Sequence, residues 1–279
     1  GLGLKVAGFV TCLDADDLIY ISIPPQMAIA DQMMALKNAL RPNRSNAIGA
    51  FMESGGYARP ELLTTPEDLN QTLGDPSLCL IDTRPAEQFA QGHIPGSVHF
   101  DLFGLSLIDT SPAPLKAYNF MIQHIFDMRG VDENKRVVFY EETSGMRAAR
   151  GLWFLEFFGH PHVQVLNGGI KAWRQGGFPI TTEVTPPVSS RLKAAEKEEL
   201  LATADTLLGS LNQNTSCILD TRSDDEYMGR TIRAARGGAI PGAIHIEWTR
   251  SLDESGRFKP ASELKAMFLE AGITPDKEI

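Results

Sequence analysis

The sequence predicts an α/β fold with two related domains, each a parallel sheet flanked by helices, the second of them incomplete. The first observation is a repeat: Asp-Thr-Arg occurs at 82–84 and 220–222, and Ile-Pro-Gly follows at 94–96 and 240–242. The second is an alternation of short apolar runs with helix-like segments, which is typical of parallel strands covered by helices. The third is that the second copy stops at Ile279, where the first copy continues with a strand, a loop and a helix.

The two copies keep nearly constant spacing. The offset is 138 residues at the Asp of the first motif and 146 at the Gly of the second, so the second copy carries eight additional residues between them. The additional residues lie in a segment that contains Arg230, Arg233 and Arg236. The repeat is therefore imperfect, and its insertion is strongly basic.

The composition is that of a globular protein and excludes several functions. Of the 279 residues, 43% are hydrophobic and 22% are charged, and the length allows two domains of ordinary size. The formal net charge of −9 argues against binding to nucleic acid or to an anionic membrane surface. No apolar run reaches the ~18 residues that cross a bilayer, and no signal peptide is recognisable, so a cytoplasmic location is the default expectation.

Residues 1–57 match neither copy and form an unassigned N-terminal extension. A helix is predicted from Gln26 to Leu40, because two prolines precede it and Pro42 follows it. The chain begins with Gly1 rather than with methionine, which suggests a fragment or a processed product.

The first domain is predicted over 58–183, with strand and helix signals in alternation. In such sheets the reacting groups lie at the carboxyl ends of the strands. Apolar residues at helical spacing indicate two of the helices, namely Phe120, Met121, Ile125 and Met128 in one and Trp153, Phe154, Phe157 and Phe158 in the other, and the second set is expected in the core. The predicted elements are Leu78–Ile81, Pro85–Gln91, Tyr118–Arg129, Arg136–Tyr140, Met146–Phe158 and Val163–Leu166.

A connector rich in proline, serine and charge, 184–197, is expected to cross the surface to the second domain at 198–279. That domain opens with a helix predicted at Glu198–Leu211, and a later helix is predicted at Ala261–Ala271. The final segment, Gly272–Ile279, matches the approach to the central strand of the first copy. The 279 residues thus stop at the start of the second copy's central strand. Because an inner strand buries apolar surface on both faces, this domain is expected to be only marginally stable without it.

These motifs resemble those of the rhodanese family, and specifically its tandem-domain thiosulfate and 3-mercaptopyruvate sulfurtransferases. Besides the two repeated motifs, the first copy contains Asn167-Gly-Gly-Ile-Lys-Ala-Trp173. Each motif alone is weak, whereas the ordered set with near-constant spacing is specific. The resemblance covers about residues 58–279 and leaves the N-terminal extension unexplained.

The resemblance implies transfer of a sulfane sulfur through a cysteine persulfide. In tandem members the nucleophile opens a Cys-x-x-Gly-x-Arg-like loop of the second domain, where converging N–H groups lower the pKa of the thiol. That position lies beyond Ile279, so no catalytic residue is assigned and the printed residues are expected to be inactive. None of Cys12, Cys79 and Cys217 is expected to be the nucleophile, since the last two lie in apolar, strand-like runs.

In the first copy the corresponding loop runs from Glu142 through Gly145 to Arg147, with Glu142 at the cysteine position. A carboxylate cannot carry a sulfane sulfur, so this domain is interpreted as a non-catalytic partner. Two alternatives stay open for Glu142: it occupies the loop as a resident anion with a lowered pKa, or it points into solvent. Counted from Glu142 the loop is shorter than the Cys-x5-Arg loop of phosphatases with a related fold, which disfavours phosphate chemistry.

The resemblance also implies arginines that bind an anionic donor, since arginine binds oxyanions through two N–H groups. The family has such arginines at the Asp-x-Arg position and before the Gly-x-Ile-Pro-Gly turn, which match Arg222 and Arg236. Arg233 is a third candidate, and Arg230 is a further one. The alternative for Arg222 is a structural pair with Asp220. If both bind the donor, Arg222 and Arg236 face the same side of the domain.

Other polar residues are given structural roles. Asp82 and Asp220 are expected to organise turns and to cap the helices that follow, rather than to act as acid or base. His93 is interpreted as turn structure, because the second copy has Ala239 at that place. No metal site and no cofactor are predicted.

The predicted function is that of a sulfurtransferase acting on thiosulfate or 3-mercaptopyruvate, with the donor left open. The expected partners are a small anionic sulfur donor and a thiol or cyanide acceptor; a monomer is expected, without nucleic acid or membrane. The alternative is a non-catalytic rhodanese-like module that binds an anion or a partner. A Cys-x-x-Gly-x-Arg loop encoded after Ile279 would favour the enzyme, and a stop codon the binding module.

Overall fold

The computed structural model describes residues 56–279 apart from 108, 212–215, 234–235 and 276–278. The N-terminal extension, with its predicted helix, lies outside the described residues. Within the described part of the chain, no helix is long and apolar enough to cross a membrane.

The first copy folds around a five-stranded sheet in which neighbouring strands are parallel, as predicted. Its strands are β1 (Leu63–Thr64), β2 (Leu78–Asp82), β3 (Val98–His99), β4 (Arg136–Tyr140) and β5 (Val163–Leu166). Their order across the sheet is β1-β5-β4-β2-β3, so β2, β4 and β5 are interior strands. Interior strands of a parallel sheet are covered on both faces, which explains their nearly continuous apolar sequence.

The side chains of the interior strands alternate between two buried clusters, one on each face of the sheet. Ile81 and Phe139 belong to the larger cluster, and Leu80 and Val138 belong to the other. This alternation is the period of two that a strand imposes on its side chains. Helices therefore have to cover both faces.

Helices of the first copy cover both faces of this sheet. Helices α3 and α4 bring residues such as Phe126 and Leu155 to the larger cluster. Helices α1 and α5 bring Leu69 and Trp173 to the smaller one. The helices are α1 (Pro66–Gln71), α2 (Ala86–Gln91), α3 (Pro112–Met128), α4 (Met146–Phe157) and α5 (Gly169–Gln175).

The core residues predicted for α4 are confirmed, and the buried face of α3 is set by its contact with the sheet. The aromatic residues predicted for α4 are all buried, with Phe158 just beyond its end. On α3 the buried residues are Asn119, Ile122 and Phe126, whereas Phe120 is 71% exposed. The helix predicted there is present, and its buried face is not the one that carries Phe120. The spacing of 119, 122 and 126 is equally helical, and contact with the sheet selects that face.

The connector after the first copy lies along the first copy instead of crossing free surface. Ser190 N donates to Asp127 O at 2.9 Å, and Lys197 N donates to Phe157 O at 2.7 Å. Leu192 is 2% exposed and belongs to the larger cluster of the first copy. The many serine and charged residues of the connector gave no indication in the sequence that Leu192 would be buried.

The second copy does not open with the long helix predicted at Glu198–Leu211. A 3-10 turn at Glu198–Leu200 is followed by helix α6 at Ala204–Ser210. Thr203 begins α6 as its N-cap, with its side chain accepting from Thr206 N. A residue that caps the amides of a helix has extended backbone itself, so the helix cannot continue upstream through it.

The described part of the second copy contains a two-stranded parallel sheet. Helix α8 packs on it through Leu264 and Phe268, and Cys217, Leu219 and Ile246 complete the same cluster. The predicted helix 261–271 is confirmed within one residue. The elements are β6 (Leu219–Asp220), α7 (Asp224–Tyr227), β7 (Ile244–His245), a 3-10 turn at Trp248–Ser251 and α8 (Ala261–Glu270).

Candidate functional site

The loop singled out in the first copy joins the carboxyl end of β4 to the N-terminus of α4, as predicted. We call Glu141–Gly145 the copy-one loop. Helix α5 holds its backbone, because Ile170 N donates to Glu141 O and Lys171 N donates to Glu142 O, each at 2.9 Å. Gly169 permits this approach, since a Cβ there would lie 2.4 Å from Glu141 O. The Gly-Gly of the Asn167–Trp173 motif thus serves to seat the loop.

The carboxylate held by the amides of this loop is that of Glu141. Its Oε1 accepts from Arg147 N at 2.7 Å and from Ala148 N at 3.2 Å, at the first turn of α4. Gly145 leaves room for it, because a Cβ there would lie 2.6 Å from the same oxygen. Burial raises the pKa of Glu141 to about 7, although the backbone donors of Ala148 and Arg147 act to lower it.

Glu142, the residue assigned to this place from the sequence, lies outside the amide cradle. Its side chain is 52% exposed, with Oε2 3.8 Å from Arg84 Nη1 and Oε1 3.5 Å from Arg174 Nη1. The loop does hold a carboxyl group, but from the preceding residue, and burial raises the pKa of that group instead of lowering it. Counted from Glu141 to Arg147 it has the seven residues of a Cys-x5-Arg loop, so loop length no longer argues against phosphate chemistry.

Arg147, in the first turn of α4 just after the loop, makes its side-chain contacts with residues outside the loop. Arg147 Nη1 pairs with Asp101 Oδ1 at 2.5 Å, and its guanidinium carbon lies 4.4 Å from the centroid of the Phe103 ring. Ion pairing and cation–π contact hold it there. Each arginine or set of amide donors around the copy-one loop thus has a carboxyl group beside it, supplied by Glu141, Glu142 or Asp101.

The Asp-Thr-Arg motifs form the same fork in both copies. Arg84 Nη2 donates to Asp82 Oδ2 at 2.6 Å and to Gly92 O at 2.8 Å. Arg222 Nη2 donates to Asp220 Oδ2 at 2.6 Å and to the carbonyl of Gly238, the counterpart of Gly92, at 2.8 Å. The Arg84 side chain is 2% exposed and the Arg222 side chain 21%. The structural pairing considered for Arg222 is present, and its contact with substrate stays a prediction.

The aspartates of the forks organise turns, but they do not cap helices. Asp82 Oδ1 accepts from Arg84 N at 2.9 Å, and Asp220 Oδ1 accepts from Arg222 N at 3.1 Å. The cap of α7 is Ser223, whose side chain accepts from Glu226 N. The capping role predicted for the two aspartates is therefore wrong, because the arginine forks engage their carboxylates.

The other arginine candidates lie on exposed surface. Arg233 Nε donates to Glu226 Oε1 at 2.5 Å with a side chain 66% exposed, and Arg230 Nε donates to Asp225 Oδ1 at 2.7 Å. Arg236 is exposed and follows the undescribed residues 234–235. Arg230 and Arg233 are thus tied to acidic residues of α7, and the prediction that Arg222 and Arg236 face one side stays a prediction.

His93 and the described cysteines are buried. His93 Nδ1 lies 2.9 Å from Phe89 O and its Nε2 lies 3.1 Å from Glu183 O, contacts that suit a role in turn structure. Burial raises the pKa of Cys79 to about 12. Cys217 is buried in the cluster beneath α8. Cys12 lies outside the described residues. Among the described residues, no group of three or more His, Cys, Asp or Glu could hold a metal ion.

The second copy touches the copy-one loop, a contact that no sequence motif indicated. Ser144 N donates to Gly256 O at 2.8 Å, and Phe258 N donates to Asn167 Oδ1 at 3.0 Å. Residues near Gly256 match no motif, and contacts between distant segments have no periodicity that a sequence pattern could show.

Comparison with known proteins identifies the fold and its relatives. The rhodanese-like domain family matches residues 65–176. The thiosulfate sulfurtransferase of Azotobacter vinelandii is 35% identical over 224 residues, 80% of this chain and 82% of that protein. The sulfur carrier protein TtuD of Thermus thermophilus is 30% identical over 237 residues, again 80% of this chain and 82% of that protein.

A solved structure agrees with these sequence relatives. SseA from Escherichia coli, described as a 3-mercaptopyruvate sulfotransferase with the rhodanese fold, is 28% identical and superposes with a TM-score of 0.67. The match covers 77% of this chain and 86% of that one. With the parallel α/β sheet, the strand-to-helix loop and a relative of this identity over most of its length, the chain belongs to the rhodanese family.

Proposed function

We propose that this chain is part of a sulfurtransferase that moves a sulfane sulfur from thiosulfate or 3-mercaptopyruvate to a thiol or cyanide acceptor. The family membership and the names of its relatives support this proposal. The observation that carries it within the molecule is the second fork, in which Asp220 and Gly238 hold Arg222 in one orientation while part of its side chain meets solvent.

The fork of the second copy suits an anionic donor better than that of the first. Both arginines are fixed by the same acceptors, which lowers the entropy cost of binding an oxyanion. In the first copy, Glu142 lies 3.8 Å from Arg84 Nη1 and neutralises that side of the guanidinium. Arg222 has a more exposed side chain at the carboxyl end of β6. We infer that its guanidinium orients the sulfonate of thiosulfate or the carboxylate of mercaptopyruvate.

The chemistry requires a thiolate that none of the described residues provides. In the proposed reaction a cysteine thiolate attacks the outer sulfur of thiosulfate, forms a persulfide and releases sulfite. Cyanide then takes the outer sulfur as thiocyanate and restores the thiolate. Cys79 is buried with a pKa of about 12, and Glu141 occupies the amide cradle of the first copy. We therefore propose that the first copy is a non-catalytic partner and that the 279 residues alone transfer no sulfur.

The test compares the 279 residues with the complete product of the coding sequence from which they come. We expect thiocyanate formation only with the complete product, and we expect Arg222→Ala to lower kcat/KM at least about tenfold through loss of the donor contact. Arg233→Ala is the matched control, because Arg233 is exposed and pairs with Glu226. Equal effects of the two substitutions would contradict the role of Arg222.

A non-catalytic binding module is the second candidate. The observation in its favour is the carboxyl group of Glu141, which accepts from two amides where the loop meets α4 and cannot carry a sulfane sulfur. If the complete product binds thiosulfate in a calorimetric titration but forms no thiocyanate, this second function replaces the first.

A further inference from the structure

The copy-one loop is contacted by a segment that follows the 3-10 turn of the second copy. We call Asp253–Phe258 the docking segment. It has internal order of its own: Asp253 Oδ1 accepts from Ser255 N at 2.8 Å and from Arg257 N at 3.1 Å. Leu252 and Phe258 form an isolated antiparallel bridge that closes its base. The segment is therefore a preformed turn that meets the loop as a unit.

The contact uses a backbone amide of the copy-one loop. Ser144 N donates to Gly256 O at 2.8 Å. Its side chain is enclosed as well, because Ser144 Oγ donates to Asn167 Oδ1 at 3.0 Å and accepts from Gly168 N at 2.8 Å. The same Asn167 oxygen accepts from Phe258 N at 3.0 Å. One short network thus joins the loop, the Asn-Gly-Gly motif and the docking segment.

The fit is close enough to exclude side chains at two positions. Gly256 is buried at φ +84°, and a Cβ built on it would lie 2.5 Å from Thr143 Cγ2. A Cβ on Gly168 would lie 2.9 Å from Arg257 Cγ. Real Cβ atoms do not approach side chains so closely, so a glycine at 256 is required both by backbone conformation and by space.

We propose that the copy-one loop is a docking site for residues 253–258 of the second copy, and that this contact fixes how the two copies are oriented. Glu141 accepts from two amides in the first turn of α4, and Gly256 O accepts from the Ser144 amide of the loop, so the protein itself occupies these donors. The docking segment is closely joined to the rest of the second copy, because Lys259 N donates to Ser251 O and Pro260 is the N-cap of α8. Fixing the position of the segment therefore also fixes the position of α8. This role does not depend on sulfur transfer.

The decisive variant is Gly256→Ala, with Gly272→Ala as its matched control. Gly272 has nearly the same φ of +82°, but a Cβ there meets nothing within 4 Å. The two variants share the strain of a left-handed alanine and differ in the contact with Thr143. We expect Gly256→Ala to speed hydrogen exchange at the amides of Ser144 and Phe258 by at least about tenfold, and Gly272→Ala to leave both unchanged.

Further measurements separate docking from local packing. Thr143→Gly combined with Gly256→Ala removes the clash, and we expect it to restore much of the lost protection. Asn167→Ala tests the contact from the first copy, should Gly256→Ala not fold, and we expect it to expose the Phe258 amide. Small-angle scattering should show a larger radius of gyration for Gly256→Ala than for Gly272→Ala. Equal protection in the two glycine variants, or lost protection with unchanged scattering, would overturn the proposal.

Discussion

The two copies share one fork and differ in what surrounds it. In each, an arginine donates to an aspartate two residues earlier and to a glycine carbonyl at matching distances. In the first fork the Arg84 side chain is 2% exposed and Glu142 lies next to its guanidinium. In the second fork the Arg222 side chain is 21% exposed. The fork is therefore a structural device in its own right, and its surroundings determine whether it is open to a ligand.

The largest expected effect is on the unfolding free energy, and it tests whether the more buried fork contributes more to stability. Arg84→Ala leaves the Asp82 carboxylate buried without its partner, which costs about 3–5 kcal/mol of unfolding free energy. Arg222→Ala should cost less, about 1–3 kcal/mol, since water reaches the second fork more readily. Hydrogen exchange of the slowest amides in β2 and β6 measures each copy separately. A larger loss in β6 than in β2 would contradict the comparison.

The next prediction concerns the pH dependence of the first copy. Burial raises the pKa of Glu141 from its ordinary 4.5 to about 7, so the folded state favours the protonated carboxyl. Stability from this group is full below pH ~4.5 and is lost as pH rises through ~7, by up to about 3 kcal/mol. Glu141→Gln should remove this loss, stabilising the protein near pH 8 and changing little near pH 4.

Urea unfolding at both pH values measures the effect of Glu141→Gln. The matched control is Glu142→Gln, because that side chain is 52% exposed and its ion pairs are loose. We expect the control to change stability by less than about 1 kcal/mol at either pH. If the two substitutions behaved alike, the buried carboxyl group of the loop would have been assigned to the wrong residue.

A further prediction concerns the chemical reactivity of the two described cysteine thiols. Cys79 and Cys217 are buried, and burial raises the pKa of Cys79 to about 12, so Cys79 should not form a thiolate and both sulfur atoms should be shielded from the donor in the folded state. Mass spectrometry after incubation with thiosulfate should therefore show no persulfide adduct of about +32 Da on either residue. A stable adduct that cyanide removes as thiocyanate would give a buried strand cysteine the role that the family gives to a loop.

The smallest expected effect lies in the basic insertion. Arg233 is 66% exposed and pairs with Glu226, so Arg233→Ala should change the unfolding free energy by less than about 1 kcal/mol. Thermal unfolding with and without thiosulfate tests for a ligand role at the same time. A donor-dependent shift lost in this variant but retained in Arg222→Ala would exchange the roles assigned to the two arginines.

Short-range patterns in the sequence predicted the parallel sheet, the covering helices and the strand-to-helix loop. They failed where a choice depended on tertiary contact. Glu141 and Glu142 are equivalent in sequence, and only the geometry of the chain leaving β4 places the first of them under the amides of α4. The buried face of α3 and the anchoring of Leu192 likewise depend on surfaces formed by distant residues.

The anchored connector has a consequence for the strength of the docking contact. Leu201 packs against the core of the first copy, and the next residue, Ala202, packs against a cluster of the second. The tether between the copies is thus a single peptide bond, which confines the docking segment near its site at an effective concentration of about millimolar or higher. A contact of a few hydrogen bonds can then stay occupied within one chain, although the same two surfaces on separate polypeptides would remain apart at micromolar concentration.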